Sequence, residues 1–213
     1  MKKHIVSILI AALLVTTAGC RASEPAETTG NPGTTKPSSS TETTAPTTGT
    51  TEPGQTQAGA VGVLETIWNG FPEDSRFAVY GGMMEKPVDS APGKLDLSNT
   101  EEILSKYLIP QERLGEVEEG ASLVHLMNSN LFTAAAFRLK NDADAETFAK
   151  ALRENIQKNQ WICGQPDRLV VAAPAGDTVL MVFGSEEAME LFGDSFTRAF
   201  PDAKVYFDEA ITA

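Results

Sequence analysis

The chain is poor in the residues from which most catalytic and metal sites are built. Its 213 residues include two cysteines, Cys20 and Cys163, and two histidines, His4 and His125. There is no Cys-x-x-Cys pair, so thioredoxin-type exchange lacks its second sulfur. One histidine with one cysteine does not make an ordinary zinc site. A glycine-rich phosphate loop, Gly-x-Ser-x-Gly and His-Glu-x-x-His are all missing. Positive charge is also scarce, 17 Lys and Arg against 29 Asp and Glu, for a net charge of −12. That balance argues against nucleic acid, and against direct docking on anionic lipid or wall polymer. No long apolar run occurs either. Residues 5–15 are apolar for about eleven positions, where a membrane-spanning helix needs roughly 20. These patterns assign no catalytic residue, cofactor or metal.

What is present begins at the N-terminus. Lys2, Lys3 and His4 form a basic start, the apolar run follows, and Thr16, Thr17, Ala18 and Gly19 are small. That order is the order of a cleaved leader. Thr17-Ala18-Gly19-Cys20 resembles a lipobox, the signal peptidase II site of bacterial lipoproteins, with Thr17 where a Leu-like residue is usual. The resemblance implies cleavage between Gly19 and Cys20 and a diacylglyceryl thioether on the Cys20 sulfur. The mature chain would then sit on the outer face of the cytoplasmic membrane. The alternative is an ordinary secretory leader with a chance cysteine. Each buried CH₂ contributes about 0.8 kcal/mol, so two acyl chains hold a protein where one holds it marginally.

Residues 21–58 are dominated by Thr, Ser, Pro and Gly and contain no Leu, Ile, Val, Met or aromatic residue. Such a segment buries too little apolar surface to offset about 1–2 kcal/mol of backbone entropy per residue. A disordered tether is expected, with an r.m.s. reach of about 35 Å and a full extension of about 120 Å. Residues 1–19 thus read as a leader, 20–58 as lipidated cysteine and tether, and 59–213 as one domain. Loss of Lys2 and Lys3 with the leader takes the net charge from −12 to −14, which keeps an exported domain soluble.

Within 59–213, Val61, Leu64, Ile67, Trp68 and Phe71 recur at helical spacing, and Asn69-Gly70 and Pro72 end the helix. Residues 76–80 read as a short strand, and 81–97 as a long loop broken by Gly81-Gly82, Pro87 and Ala91-Pro92-Gly93. Asn99 starts a helix with Ile103, Leu104, Tyr107 and Leu108 on its apolar side, and a second short helix is expected over 110–119. Residues 122–127 and 131–140 form a hairpin around Asn128-Ser129-Asn130. Residues 141–144 cap a helix striped by Ala145, Phe148, Leu152 and Ile156. A second hairpin, 168–173 and 178–184, turns at Pro174-Ala175-Gly176-Asp177. Ser185 caps a helix with Met189, Phe192, Phe196 and Phe200 inward, and 204–208 is a last strand.

The expectation is an α+β fold: an antiparallel sheet from two hairpins with helices on one face, in ββαββαβ order, preceded by short helices. Leu169 to Ala173, Val179 to Phe183, and Phe132 with Ala134 and Ala136 are apolar on both faces. Either the early helices cover the second face, or it is an open surface for a partner or for a homodimer.

Two side chains remain as candidates. With Cys20 lipidated, Cys163 is the only thiol, so no disulfide can form within the mature chain. It follows a helix C-terminus, where the dipole disfavours the thiolate, so it reads as a small buried hydrophobe at a helix-to-strand turn. The sharper reading is a reactive thiol served by His125. His125 alternates with Leu123 and Met127 along a strand and reads as a packed residue. Asp142, Asp144 and Glu146 read as helix-capping acids, since the Gly and Glu of a calcium loop are not in place.

Residues 121–200, with Ala145-Glu146-Thr147-Phe148-Ala149-Lys150-Ala151-Leu152 in the first long helix, resemble uncharacterised extracytoplasmic lipoproteins of Gram-positive, clostridial-type bacteria. The resemblance implies a small α+β domain on a tether and carries over no functional residue. Three functions are open. One is a non-enzymatic module binding a protein, peptide or cell-wall partner. Another is a thiol-dependent enzyme or redox accessory using Cys163. The third is a small solute receptor.

Overall fold

Apolar residues at alternate positions, bounded by turn residues, set the strands, and those at three- and four-residue spacing set the helices. The computed structural model describes residues 59–212, Asp142 excepted. The expected leader with Gly19, the lipid site Cys20 and the tether lie outside the described residues. So do Asp142, expected among the capping acids, and Ala213. The described residues belong to one unit, Thr51–Ala213.

The elements run α1 (Ala60–Asn69), β1 (Val79–Met83), β2 (Lys86–Asp89), β3 (Gly93–Lys94), α2 (Thr100–Lys106), β4 (Val117–His125), β5 (Phe132–Leu139), α3 (Ala145–Gln157), β6 (Arg168–Ala173), β7 (Thr178–Gly184), α4 (Glu186–Ala199) and β8 (Lys204–Ala210). Short 3-10 turns occupy Glu73–Ser75 and Gln111–Glu116. The helix starts follow from side-chain caps: Asn99 accepts from the amide of Glu102, Asp144 from Thr147, and Ser185 from Ala188. Thr147 and the helix start hold the Asp144 carboxyl below its usual range.

All strands join one antiparallel sheet in the order β2-β1-β4-β5-β7-β6-β8, with β3 on β4. The fold class is therefore α+β. The helices do not lie on one face. α1 and α4 bury Leu64, Ile67, Phe192 and Phe196 against Ala134, Leu180 and Val182. α2 and α3 bury Ile103, Phe148, Leu152 and Ile156 against Phe137, Val179 and Met181 on the other side. The reason is topological. β7 inserts between β5 and β6, so β5 and β6 are parallel, as are β7 and β8. Both helical crossovers step the same way along the sheet but start from strands of opposite direction. Crossovers of one hand must then place α3 and α4 on opposite faces. Among the described residues the apolar strands are covered by helices on both faces.

The stretch 81–97, expected as a loop, holds the end of β1 and all of β2 and β3. Beyond Tyr80, β1 leaves β4, and β3 takes over at Ser122. The two segments pass so closely that a Cβ on Gly81 would lie 2.1 Å from the Gly93 amide nitrogen. Beneath the crossing, the Tyr107 hydroxyl lies 2.9 Å from Ser122 Oγ and 3.1 Å from the Gly82 carbonyl, and the Gly82 amide donates to Ser122 Oγ at 3.0 Å. Burial pushes the Tyr107 phenol well above its usual range.

The sheet edges are guarded. β2 carries Lys86 and Pro87 and is exposed throughout. β8 is bulged opposite Val171 and Ala172, and its Asp208 and Glu209 are paired to Arg168 and Arg153. Pro, bulges and charges all discourage edge-to-edge pairing.

Candidate functional site

At one end of the sheet β4 runs into β5 through residues 126–131, beside the turn from α3 into β6. Leu126 closes β4 onto β1 by donating its amide to the Ala78 carbonyl at 2.9 Å. The next residues are tied by side chains. His125 Nδ1 accepts the amides of Met127 at 3.1 Å and Asn128 at 3.3 Å. Asn128 Oδ1 accepts the Asn130 amide at 2.9 Å, and the Thr133 hydroxyl donates to the Ser129 carbonyl at 2.9 Å. The Asn130 amide group then crosses to the other loop, donating to the carbonyls of Ile162 at 2.8 Å and Gly164 at 2.5 Å. Trp161 roots that loop by packing edge-on against Phe183, centroids 5.1 Å apart.

The clamp presents apolar surface. Met127 is 82% exposed and Ile162 80%, with Leu126 and Leu131 also open. Large hydrophobes left exposed on neighbouring loops are candidates for an interaction site, and methionine adapts its shape to varied partners. The tip lies at the far end of β4 from Gly59, the first described residue. Gly59 sits against Glu119, since a Cβ there would meet Glu119 Oε1 at 3.1 Å. From Glu119 to His125 the strand rises about 20 Å.

His125 stacks on Phe77, centroids 5.2 Å apart, as part of an aromatic cluster with Trp68, Phe71 and Phe132. Partial burial lowers its pKa from the ordinary 6.5. Nδ1 is an acceptor for two amides, so the neutral ring carries its proton on Nε2 and holds no free lone pair for a thiol proton. The pairing of Cys163 with His125 as nucleophile and base is not assembled.

Cys163 is not a buried hydrophobe. It is exposed, with φ +64. Trp-Ile-Cys reads as a core segment, but only Trp161 turns inward. The backbone of 162–164 is held through its carbonyls, with the Cys163 carbonyl 3.5 Å from Asn128 Nδ2. A left-handed residue followed by Gly164 at φ +107 carries the thiol outward. Among the described residues, no group of three or more His, Cys, Asp and Glu side chains is placed to hold a metal ion. No described helix is long and apolar enough to cross a membrane.

By sequence pattern Asn128 and Asn130 are turn residues only. Their second use, reaching 32 to 35 residues along the chain, leaves no local signal. The fold and the tip define an α+β domain with one end that is tied by side-chain hydrogen bonds and exposes apolar side chains. No protein-family model matches the chain, and no curated protein or solved structure matches it.

Proposed function

We propose that this chain is a lipid-anchored extracytoplasmic protein whose domain works by binding a protein partner through its apolar tip, without catalysis. The anchor in this reading is Cys20, cleaved from Gly19 and held at the outer face of the cytoplasmic membrane. The observation that carries the binding reading is the Asn128–Asn130 clamp, which ties together two loops that each expose a large apolar side chain, Met127 on one and Ile162 on the other. Apolar side chains held out in water on an ordered scaffold lose little conformational entropy when a partner covers them. Gly59, the first described residue, lies beside Glu119 at the end of β4 away from the tip.

Two variants separate anchoring from binding. Cys20→Ser is expected to leave the membrane fraction or to remain as uncleaved precursor. Met127→Asp with Ile162→Asp is expected to stay membrane-bound and folded while losing the partner recovered by crosslinking the native chain. Mature-sized Cys20→Ser in the membrane fraction would overturn the anchor. Unchanged crosslinks in the double aspartate variant would overturn the tip.

A further inference from the structure

His125 is titratable, and the hydrogen bonds of the tip start from it. Nδ1 accepts the amides of Met127 and Asn128 at 3.1 and 3.3 Å. The Asn128 side chain takes the Asn130 amide at 2.9 Å, and Asn130 Nδ2 donates to the carbonyls of Ile162 and Gly164. Three side chains thus link the imidazole to the second loop. The link needs the neutral ring. A proton on Nδ1 turns an acceptor into a donor that faces two donors. The Met127 and Asn128 amides then lose their acceptor, and the turn that positions Asn130 loses its root.

The surroundings set where the ring titrates. Phe77 stacks on it, β1 pairs Val79 with it, and Leu131 and Phe132 lie at the start of β5. None of these is titratable. The charged groups line the same hollow of about 500 Å³: Asp167 from the turn into β6, and Glu186 and Glu187 from the first turn of α4. Asp167 Oδ2 accepts the Glu186 amide at 3.0 Å, and the Glu186 carboxylate lies 3.7 Å from Arg168. On the far side of Phe77, Arg76 sits over the Trp68 ring at 5.6 Å. The carboxylates favour the imidazolium; partial burial and two amide hydrogens aimed at Nδ1 disfavour it. Burial lowers the pKa from 6.5, so the ring is neutral at neutral pH and charges in acid.

We infer that His125 is an acid-operated latch on the tip: neutral, it holds the two loops clamped, and charged, it releases them and loosens the surface that Met127 and Ile162 present. The inference rests on the proposed binding tip and adds its regulation. The latch's contribution is present above the unfolded value of 6.5 and is lost as pH falls from there through the folded pKa. In the proposed location the domain meets the pH of the medium, so partner binding is strong near neutrality and weak in acid. The released amides recover water, so the opening equilibrium should shift by about three- to tenfold.

The test uses the full mature chain in nanodiscs at about pH 7.5 and about pH 5, either side of the histidine range. Hydrogen exchange, corrected for the intrinsic rate at each pH, is read over 126–131 and 158–167, with 178–184 as the control. Protection of the two loops should fall about three- to tenfold in acid while the control holds. His125→Asn places a non-titrating oxygen near the position of Nδ1 and should keep the loops protected at both pH values. His125→Phe keeps a ring on Phe77 without the acceptor and should leave them open at both. With a photoreactive residue at Met127 in native membranes, adducts should fall in acid alongside protection, and should not fall in His125→Asn. The proposal is overturned by loop protection that ignores pH, by an equal fall in His125→Asn, by a fall shared with 178–184, or by adducts that hold constant while protection falls. Protection that falls while no adduct forms at either pH sustains the latch and overturns the binding tip.

Discussion

Replacing Asn130 with Ala removes the bridge between the two loops of the tip. Asn130 Nδ2 makes hydrogen bonds of 2.8 and 2.5 Å to the carbonyls of Ile162 and Gly164. A hydrogen bond contributes about 0.5–1.5 kcal/mol net, and exposed carbonyls recover water when it is lost. The expected cost is about 1–2 kcal/mol, concentrated in the turn 158–167 and hardly shared by the sheet. The C-terminal part of that turn stays tied by Gln165 to the Ile211 carbonyl and by Asp167 to β7, and Trp161 packs on Phe183, so 162–164 should open locally without global unfolding. Hydrogen exchange read by mass spectrometry checks this directly. Peptides covering 158–167 and 126–131 should lose protection by about five- to thirtyfold, while β5 and β7 stay protected. Partner crosslinks at Met127 should weaken because the tip then pays ordering entropy on binding. Unchanged exchange in 158–167, or an equal loss across the central strands, would refute the clamp as the device that presents the tip.

Three other outcomes follow from named contacts. His125 has a depressed folded pKa, so its contribution is present above the unfolded value of 6.5 and is lost as pH falls from 6.5 through the folded pKa; an NMR titration should find that pKa below 6.5, with the Met127 and Asn128 amides losing protection as the ring charges. Tyr107→Phe deletes a buried hydroxyl from the crossing of β1 and β3, and denaturant unfolding should show a loss of about 1–2 kcal/mol, with no loss if the crossing is held by packing alone. Glu209 is held below the usual 4.5 by its hydrogen bonds to Arg153 and then Gln157, so its modest, partly solvent-screened contribution is present above 4.5 and is lost as pH falls through the folded pKa; exchange in β8 should rise in that acid window, and Glu209→Gln should abolish the acid sensitivity.

The second hairpin was legible to the residue, because Leu169 to Ala173 and Val179 to Phe183 are unbroken apolar runs around a turn rich in Pro and Gly. The caps Asn99, Asp144 and Ser185 were legible because capping is local chemistry. β4 begins at Val117, earlier than its apolar pattern suggests. Glu118 and Glu119 hide that start, and both are paired to Arg138. The end of β1 and all of β2 and β3 read as a loop because Gly81, Pro87 and Gly93 signal breaks, whereas the two glycines permit a close crossing of strands. The placement of α3 and α4 on opposite faces was not legible, since it depends on β7 inserting between β5 and β6. The site was less legible still. His125 and Cys163 were visible by type, but the histidine serves its own turn and the thiol points outward. The clamp depends on two asparagines meeting a loop far along the chain.

The central claim is tested most directly by a photoreactive residue placed at Met127 or Ile162 in intact cells, with Lys150 on the outer side of α3 as the control. The account predicts one discrete adduct shared by Met127 and Ile162, absent at Lys150, and recovered with the membrane fraction. Adducts equal at all three positions, or none at the tip, would contradict it.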